Sequence, residues 1–334
     1  MRLLVTGGAG FIGSNFIRYI LQQHPQWQVT NFDKLTYAGN LDNLKDIQNE
    51  PRYRFIKGDI ADRQLVDGLL SQGFDTIVNF AAESHVDRSI LDASPFIETN
   101  VRGTQILLEG ARNYQVGRFI QVSTDEVYGP IAEGDFTESS SLSPSSPYAA
   151  SKAAADLLCL AYCRTYDAPV IITRCTNNFG PYQFPEKLIP LVITNALEDK
   201  TIPVYGDGLN VRDWIFVVDH CAALDVIIQR GKLGQIYNIA GANERTNLDI
   251  IYKLLELVGK PRSLIQFVTD RLAHDRRYAL DKTKMAGELS WHPSASFDDA
   301  LATTVDWYLK HERWWRQIKS GDYIRYYELM YGQR

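Results

Sequence analysis

The sequence predicts an α/β fold, in which a doubly wound parallel sheet is followed by a smaller C-terminal α/β domain. Short runs of Val, Ile and Phe alternate with longer helical patterns through the first half of the chain. Strands this apolar, separated by helices, are typical of a parallel sheet covered on both faces. A glycine-rich turn joins the first strand to the first helix, and after about residue 175 the alternation loosens as proline and aromatic residues become frequent.

The individual elements follow from the periodicity of apolar residues. Crossovers between parallel strands are right-handed, which gives a doubly wound sheet. Such sheets bind their ligands in a crevice at the carboxyl ends of the strands. The predicted strands are 2–7, 28–33, 53–59, 75–81, 118–124 and 169–174, and the predicted helices are 12–24, 63–72, 95–114, 149–166, 187–199, 219–230, 246–258 and 297–311.

Two closely joined domains are expected in a chain of 334 residues, since single cores stop growing near this length. Residues 1–175 are predicted to bind a dinucleotide, with a segment near 212–240 that returns to this domain. Residues 176–334 are predicted mainly to bind substrate. The Ser/Pro-rich loop around 130–147 is either a mobile cover or a passive surface turn.

Composition narrows the class of protein. Apolar residues make up 45% and charged residues 22% of the chain, and the formal net charge is −5. This acidic balance argues against a nucleic-acid partner, because phosphate binding needs a basic face. The four cysteines lack zinc-ligand spacing, so no metal site is expected. Without a leader pattern or an apolar run of ~20 residues, we expect a cytoplasmic protein that does not contact membranes.

A cofactor site is indicated by "VTGGAGFIGSNF", which places Gly7, Gly10 and Gly13 directly after the first strand. Glycines in such a turn let the backbone approach a pyrophosphate, and the N-terminus of the following helix attracts the anion. Asp33 lies twenty residues after Gly13, at the end of the second strand. A carboxylate there accepts from the ribose 2′-hydroxyl and repels a 2′-phosphate, so NAD is predicted rather than NADP, with the adjacent Lys34 as the feature against that choice.

The third strand ends in Asp59 and Ile60. These two residues could flank the adenine of the dinucleotide. Asp59 could equally cap the helix that follows, because aspartate is among the preferred N-cap residues.

A catalytic pair is indicated by "SPYAASKAAAD", in which Tyr148 and Lys152 stand four residues apart at the start of a helix. Residues at this spacing share a helix face. A tyrosine with a pKa near 10 is only ~0.1% ionised at pH 7. A neighbouring ammonium favours the phenolate, so Tyr148 could take the proton of a substrate alcohol.

Two adjacent carboxylates, Asp125 and Glu126, follow the apolar strand that ends at Thr124. Such a pair is either solvated surface or a proton-handling device. Adjacent carboxylates raise each other's proton affinity, which helps to keep one of them protonated.

The glycines, Thr124 and the Tyr148–Lys152 pair together resemble the extended short-chain dehydrogenase/reductase family, whose fold is of the Rossmann type. More narrowly, "FDKLTYAGN", "AAESHVDRSI", "STDEVYG", "NNFGPYQFPEKLIPL", "RDW" and "HDRRYA" resemble the dTDP-glucose 4,6-dehydratases across nearly the whole chain. The resemblance implies NAD, a dTDP-glucose substrate and a homodimer in which helices 95–114 and 149–166 pair. The implied reaction is oxidation at C4, loss of water across C5–C6 and hydride return to C6.

In this reaction each carboxylate of the pair has a role in the elimination of water. Elimination needs a base for the C5 proton, which is acidic beside a C4 ketone, and an acid for the leaving C6 hydroxyl. The resemblance assigns Glu126 as the base and Asp125 as the acid, with Thr124 bonded to O4 beside Tyr148.

The resemblance also implies ligand contacts along the chain. Cofactor contacts are implied for Gly7, Gly10, Phe11, Ile12, Gly13, Asp33, Lys34, Leu35, Thr36, Asp59, Ile60, Ala81, Ala82, Ser84, Thr99, Tyr148, Lys152 and Asn178. Substrate contacts are implied for Ser84, His85, Thr124, Asn177, Glu186, Lys187, Leu188, Pro203, Tyr205, Arg212, Asn247, His274, Arg277 and Tyr278.

Alternatives remain at this level. The nucleotide could be UDP or CDP, and Leu272–Ala273 stands where the family usually has Pro-Gly. The protein could instead be a nucleotide-sugar epimerase or decarboxylase, against which Asp125 and Glu126 argue. It could also be a non-catalytic NAD-binding sensor. The product could be a precursor of rhamnose or of another deoxysugar.

Overall fold

The main structural unit is a parallel sheet. The computed structural model describes residues 1–320, 323 and 327. Over these residues the strands are β1 (Arg2–Thr6), β2 (Gln28–Asp33), β3 (Tyr53–Lys57), β4 (Thr76–Asn79), β5 (Arg118–Thr124), β6 (Val170–Cys175), β7 (Asn177–Phe179), β8 (Ile202–Tyr205), β9 (Val211–Phe216), β10 (Ile236–Ile239), β11 (Glu244–Thr246) and β12 (Ile265–Val268).

Within the described part of the chain, seven strands form this sheet in the order β10-β6-β5-β4-β1-β2-β3. All the pairings are parallel, for example Leu3 opposite Val29 and Ile120 opposite Ile171. The order reverses between β1 and β4, and a crevice forms at such a switch point. The predicted doubly wound sheet is confirmed, and its first six strands coincide with the predicted ones to within two residues.

Helices cover both faces of the sheet, as predicted. They are α1 (Phe11–Gln23), α2 (Arg63–Leu70), α3 (Val86–Leu91), α4 (Ser94–Phe96), α5 (Thr104–Asn113), α6 (Pro147–Tyr166), α7 (Leu188–Leu197), α8 (Val217–Arg230), α9 (Asn247–Val258), α10 (Thr283–Leu289), α11 (Phe297–Lys310) and α12 (Glu312–Ile318).

Alternation along the strands divides the core into two layers. In β1, Leu3 and Val5 pack with α1 and α8 on one face, whereas Leu4 packs with α2, α5 and α6 on the other. Successive side chains of a strand point to opposite faces, so a strand that is apolar at every position requires both helical layers. Because these strands are buried on both faces, their sequences are continuous apolar runs.

The predicted single helix 95–114 is interrupted. A π-helical turn, Ile97–Gly103, separates α4 from α5. Its Asn100 is bonded to both the N–H and the C=O of Glu83, at 2.9 and 3.0 Å, and donates to the Ser151 hydroxyl at 2.8 Å. Turns of this type are frequent at functional sites, and here the turn fixes the segment that follows β4. The short helix α3 was not predicted.

The second lobe contains two small sheets within the described residues, β11-β9-β7 and β12-β8. Its core joins α7, α9 and α11 through Ile189, Val192, Leu254 and Leu301. The predicted substrate-binding region runs to residue 334, and apart from 323 and 327 its part beyond 320 lies outside the described residues.

The loop between β5 and α6 is attached to the segment that precedes α10. Ile131 N–H donates to Arg277 O at 3.1 Å, and Phe136 N–H donates to Ala279 O at 3.0 Å. The Phe136 ring also stacks on Tyr128. Across the described residues, none of the helices combines the length and the apolar character needed to cross a membrane.

Candidate active site

A cavity of about 310 Å³ lies at the switch point of the sheet. Its lining includes the glycine-rich turn, the Thr124–Glu126 segment, Tyr148 and Glu186. Of the predicted residues, the cavity is lined by Gly7, Gly10, Phe11, Ile12, Gly13, Asp33, Lys34, Thr36, Asp59, Ile60, Ala81, Ala82, Ser84, Thr99, Thr124, Asp125, Glu126, Tyr148, Lys152, Asn177, Asn178, Glu186 and Lys187. Leu35, His85, Leu188, Pro203, Tyr205, Arg212, Asn247, His274, Arg277 and Tyr278 lie outside this lining.

The glycine-rich turn is shaped for close approach of a ligand to the backbone. Gly7 has φ +68°, and a Cβ there would lie 2.6 Å from Ala81 N. A Cβ on Gly13 would lie 2.5 Å from Gly7 O. Side chains are therefore excluded where α1 begins, and the free N–H groups of its first turn are suited to an anion. These features fit a dinucleotide pyrophosphate.

Asp33 is held at the end of β2 by the backbone. Its two carboxylate oxygens accept from Ala9 N–H at 2.9 Å and Leu35 N–H at 2.8 Å. Burial raises the pKa of Asp33, and these two hydrogen bonds oppose the rise. The remaining lone pairs are acceptors for ribose hydroxyls, which fits the cofactor predicted here.

The cation beside Asp33 is already paired. Lys34 Nζ lies 2.6 Å from Asp59 Oδ2, while the other Asp59 oxygen accepts from Ala61 N–H at 2.9 Å. The alternative role of Asp59 as a helix cap is wrong, because Asp62 caps α2 by accepting from Leu65 N–H. The cap lies three residues later because α2 begins only at Arg63.

The carboxylate pair lies in a 3₁₀ turn, Asp125–Tyr128, that starts where β5 ends. The Thr124 hydroxyl accepts from Glu126 N–H at 3.3 Å and lies 3.2 Å from Asp125 Oδ1. Asp125 is only 3% exposed. Burial and then the Glu126 charge raise the pKa of Asp125 to about 8. Asp125 is therefore mostly protonated at pH 7.

Glu126 has a different electrostatic environment. Burial raises its pKa, and three cations, Arg271, Lys187 and Arg212, oppose the rise. Arg212 also opposes the rise for Asp125, whereas Arg271 and Lys187 act on Glu126. A buried acid and a half-buried carboxylate thus stand side by side, which is the arrangement that two separate proton transfers require.

Tyr148 and Lys152 lie in the first turns of α6, which Ser146 caps by accepting from Ala149 N–H at 3.1 Å. Lys152 Nζ donates to Val122 O at 2.7 Å. Burial, and then the Glu126 charge, raise the pKa of Tyr148 well above its usual value. A hydrogen bond with the Thr124 side chain opposes this rise. The expectation that Lys152 together with a bound nicotinamide favours the phenolate stays a prediction.

A buried ion pair lies behind Lys152. Arg174 Nε donates to Asp156 Oδ2 at 2.9 Å, and both side chains are at most 2% exposed. Burial lowers the pKa of Lys152, and the Asp156 charge opposes that effect. Asp156 follows Lys152 by one helical turn, so the spacing was visible in the sequence, whereas Arg174 comes from β6 and carried no local signal.

Another part of the cavity lining is built around Glu186. Tyr37 Oη donates to Glu186 Oε1 at 3.0 Å, and His85 and Arg88 lie 3.8 and 3.6 Å from Oε2. Lys187 Nζ donates to Ser84 O at 3.2 Å. Tyr37 and Arg88 were not predicted, because they reach Glu186 from segments distant in sequence.

A second group of predicted substrate residues lies beyond the lining. The Arg212 guanidinium stacks on the Tyr278 ring at 4.5 Å and donates to Asp275 O at 2.9 Å. Tyr205 Oη donates to Asp87 Oδ2 at 3.2 Å, close to Arg271, which lies 3.6 Å from Asp87 Oδ1. Arg271 was missed, although it stands in the stretch that carries His274.

The remaining predicted residues have structural contacts. The Arg277 guanidinium binds both carboxylate oxygens of Glu244 at 2.6 and 2.8 Å and lies 3.3 Å from Asp135. Asn178 Oδ1 lies 2.8 Å from His220 Nδ1. Leu188 and Asn247 begin α7 and α9, Pro203 lies in β8, and His274 Nδ1 lies 2.6 Å from Asp270 Oδ1.

The sheet order, the glycine-rich turn and the buried Tyr–Lys pair define a dinucleotide-binding protein of the short-chain dehydrogenase/reductase class. Residues 4–304 match the family described as GDP-mannose 4,6 dehydratase. A dTDP-glucose 4,6-dehydratase from an Actinoplanes species is 51% identical, with 94% of this chain and all of the relative covered. The chain belongs to the dTDP-glucose 4,6-dehydratase family.

Two further proteins are similar over most of the chain. The low-salt glycan biosynthesis protein Agl12 of Haloferax volcanii is 55% identical, with 92% of this chain and 99% of the relative covered. The crystal structure of DesIV, a dTDP-glucose 4,6-dehydratase from Streptomyces venezuelae with NAD and TYD bound, superposes with a TM-score of 0.94. It is 53% identical and covers 96% of this chain, and all of DesIV is covered.

Proposed function

We propose that this protein is an NAD-dependent dTDP-glucose 4,6-dehydratase, which converts dTDP-glucose to dTDP-4-keto-6-deoxyglucose and water. The observation that carries the proposal is the carboxylate pair at the end of β5, in which the buried Asp125 has a pKa of about 8 beside Glu126, which three cations influence. Simple alcohol oxidation needs no such pair, whereas elimination needs an acid and a base. Full-length relatives near 50% identity that are named for this activity support the nucleotide.

The first proton transfer is assigned to Tyr148. Bound NAD would supply the acceptor for the C4 hydride and the donor that returns it to C6, so that it would be unchanged after a turnover. In its phenolate form Tyr148 takes the proton of the C4 hydroxyl, while Thr124 donates a hydrogen bond to the same oxygen. Lys152, supported by Asp156, supplies positive charge beside the phenol and partly offsets the cost of ionising it.

The elimination is assigned to the carboxylate pair. Glu126 removes the C5 proton, which the C4 ketone makes acidic. Asp125 donates its proton to the C6 hydroxyl, and the C6–O bond breaks to release water. Glu126 then returns a proton to C5, and the proton left on Tyr148 replaces, through solvent, the one that Asp125 gave up. Because Glu126 exchanges with solvent in between, C5 acquires a solvent proton.

Each lobe has a proposed ligand. We assign NAD to residues 1–175 with the returning segment near 212–240, and the nucleotide sugar mainly to residues 176–334. The parallel pairing of β10 with β6 and the packing of α8 on the same face as α1 support the return. Lys187, Arg212 and Arg271, which all act on Glu126 electrostatically, are suited to the diphosphate.

We further propose a cytoplasmic homodimer that pairs through α4–α5 and α6. Leu157 is 56% and Ile97 53% exposed, on two helices that the family resemblance assigns to the interface. A charge at this patch would oppose association, so Leu157→Asp should shift the protein from dimer to monomer in light scattering. Ser71→Asp, which adds a charge at the exposed end of α2, is the control. A parent protein that is already monomeric would contradict the proposal.

The direct test uses purified protein in deuterium oxide with dTDP-, UDP- and CDP-glucose in separate reactions. A 4-keto-6-deoxy product with one solvent deuterium at C5 is expected, formed fastest from dTDP-glucose. Faster turnover of UDP- or CDP-glucose would change the assigned nucleotide but not the assigned reaction. Epimerised or unchanged sugars would overturn the proposed function.

A further inference from the structure

The segment 34–40 is fixed to the cofactor end of the cavity. Leu35 has φ +58°, and its N–H donates to Asp33 Oδ1. Asn40 N–H donates to Ala9 O at 3.0 Å, in the glycine-rich turn. A Cβ on Gly39 would lie 2.9 Å from Asp33 Oδ1, so the segment packs directly against that carboxylate. Movement of Asp33 or of the glycine-rich turn is therefore transmitted to these residues.

Tyr37 connects this segment to Glu186. Thr36, Ala38 and Gly39 line the cavity beside Asp33, but Tyr37 does not. Its hydroxyl instead donates to Glu186 Oε1 at 3.0 Å, and Arg88 stacks on its ring at 3.9 Å. Burial, followed by the Glu186 charge, raises the pKa of Tyr37 well above its usual value, so the hydroxyl remains a donor.

Glu186 depends on this donor. Its side chain is 3% exposed, and its second oxygen lies 3.6 Å from the Arg88 guanidinium. A buried carboxylate is costly unless its oxygens are hydrogen-bonded or paired. Glu186 lines the cavity next to Lys187, whose ammonium is bonded to Ser84 O. The orientation of Glu186 thus sets the shape of the substrate end.

We propose that Tyr37 is a positioning residue that couples the two ligand sites, by tying the segment beside the cofactor carboxylate Asp33 to Glu186 at the substrate end. The inference rests on the proposed function, because it takes NAD and a nucleotide sugar as the two ligands. Coupling between two sites is reciprocal. A bound nucleotide sugar should therefore tighten NAD binding, and bound NAD should tighten nucleotide-sugar binding by the same factor in affinity. We expect the tighter NAD binding to show as slower NAD release.

The experiment measures release of labelled NAD into an excess of unlabelled NAD, with and without dTDP-4-deoxy-4-fluoroglucose. This probe lacks the C4 hydroxyl and therefore binds without reacting. In the parent protein we expect the probe to slow release about 10-fold, within the range usual for coupled sites. In Tyr37→Phe the slowing should fall to about 3-fold or less, with release in the absence of the probe changed much less.

Tyr237→Phe is the matched control, because it also removes a tyrosine–glutamate hydrogen bond, to Glu288 at 3.3 Å, outside the cavity lining. The control should keep the full slowing. Equal slowing in Tyr37→Phe and the parent would overturn the inference. A parent protein that binds both ligands without coupling would also overturn it, while leaving the dehydratase assignment intact. Failure of the parent to bind either ligand would overturn the assignment itself.

A second measurement needs no variant. Hydrogen exchange of the NAD-bound parent should show that the probe slows amide exchange within 34–40, although the probe binds at the other end of Tyr37. Protection confined to the substrate end, with 34–40 unchanged, would contradict the coupling.

Discussion

Asp33 and Asp125 are both buried aspartates at the carboxyl ends of parallel strands, yet they are suited to opposite tasks. Asp33 accepts two backbone hydrogen bonds, which hold it as an acceptor. Among the described residues, Asp125 is hydrogen-bonded only to the Thr124 hydroxyl, at 3.2 Å, and it faces the charge of Glu126. Burial alone therefore does not set the role of a carboxylate. The N–H groups and charges around it determine whether it binds as an anion or carries a proton.

The largest expected effect is at the partner of Asp125. Glu126→Gln removes the base for the C5 proton, so turnover should fall about 10⁴-fold, the upper range for a lost general base. Reduction of bound NAD by substrate should persist, because Tyr148 and Lys152 are unchanged. The measurement is solvent-deuterium exchange at C5 alongside NADH absorbance. Exchange at the parent rate would remove Glu126 from its role.

Asp125→Asn should slow turnover about 10²- to 10³-fold, since a general acid is lost while the base is kept. C5 exchange should survive, which separates this variant from Glu126→Gln. NAD retention after purification should match the parent. Loss of C5 exchange in Asp125→Asn would contradict the assignment of Glu126 as the base and Asp125 as the acid.

Asp33→Asn makes the same chemical change as Asp125→Asn, but at the end of β2. It should weaken NAD binding and leave turnover nearly unchanged. A hydrogen bond to a charged group is worth roughly 1.5–3 kcal/mol, so NAD affinity should fall about 10- to 100-fold. Turnover at saturating NAD should change little, and discrimination against NADP should weaken. Calorimetric titration with both dinucleotides provides the comparison, and unchanged NAD affinity would contradict the ribose assignment.

The cofactor and catalytic residues differ from the residues around Glu186 in how far the sequence predicts them. The glycine-rich turn, Asp33, the Asp125–Glu126 pair and the Tyr148–Lys152 spacing are local patterns, and each residue lines the cavity. Tyr37 and Arg88 approach Glu186 from 149 and 98 positions away. A single sequence does not encode such contacts in any local spacing, so they were missed.

Burial was the second quantity that the sequence did not supply. The Tyr148–Lys152 spacing predicted an ammonium that favours the phenolate, but it did not predict the desolvation that raises the tyrosine pKa. The same effect strengthened the prediction for Asp125, because burial adds to the neighbouring charge. The helix 95–114 was predicted as continuous because a π-helical turn keeps an almost helical apolar pattern,.

Asp125 is expected to carry a proton at neutral pH, whereas two backbone N–H donors favour the ionised form of Asp33. Difference infrared spectra, parent minus Asp125→Asn and parent minus Asp33→Asn, resolve the protonated carboxyl band of each residue across pH 5 to 10. The Asp125 band should persist at pH 7 and disappear through a midpoint near its pKa of about 8, while Asp33 should show no such band at pH 7. An Asp125 carboxyl that is already ionised at pH 6 would contradict the account.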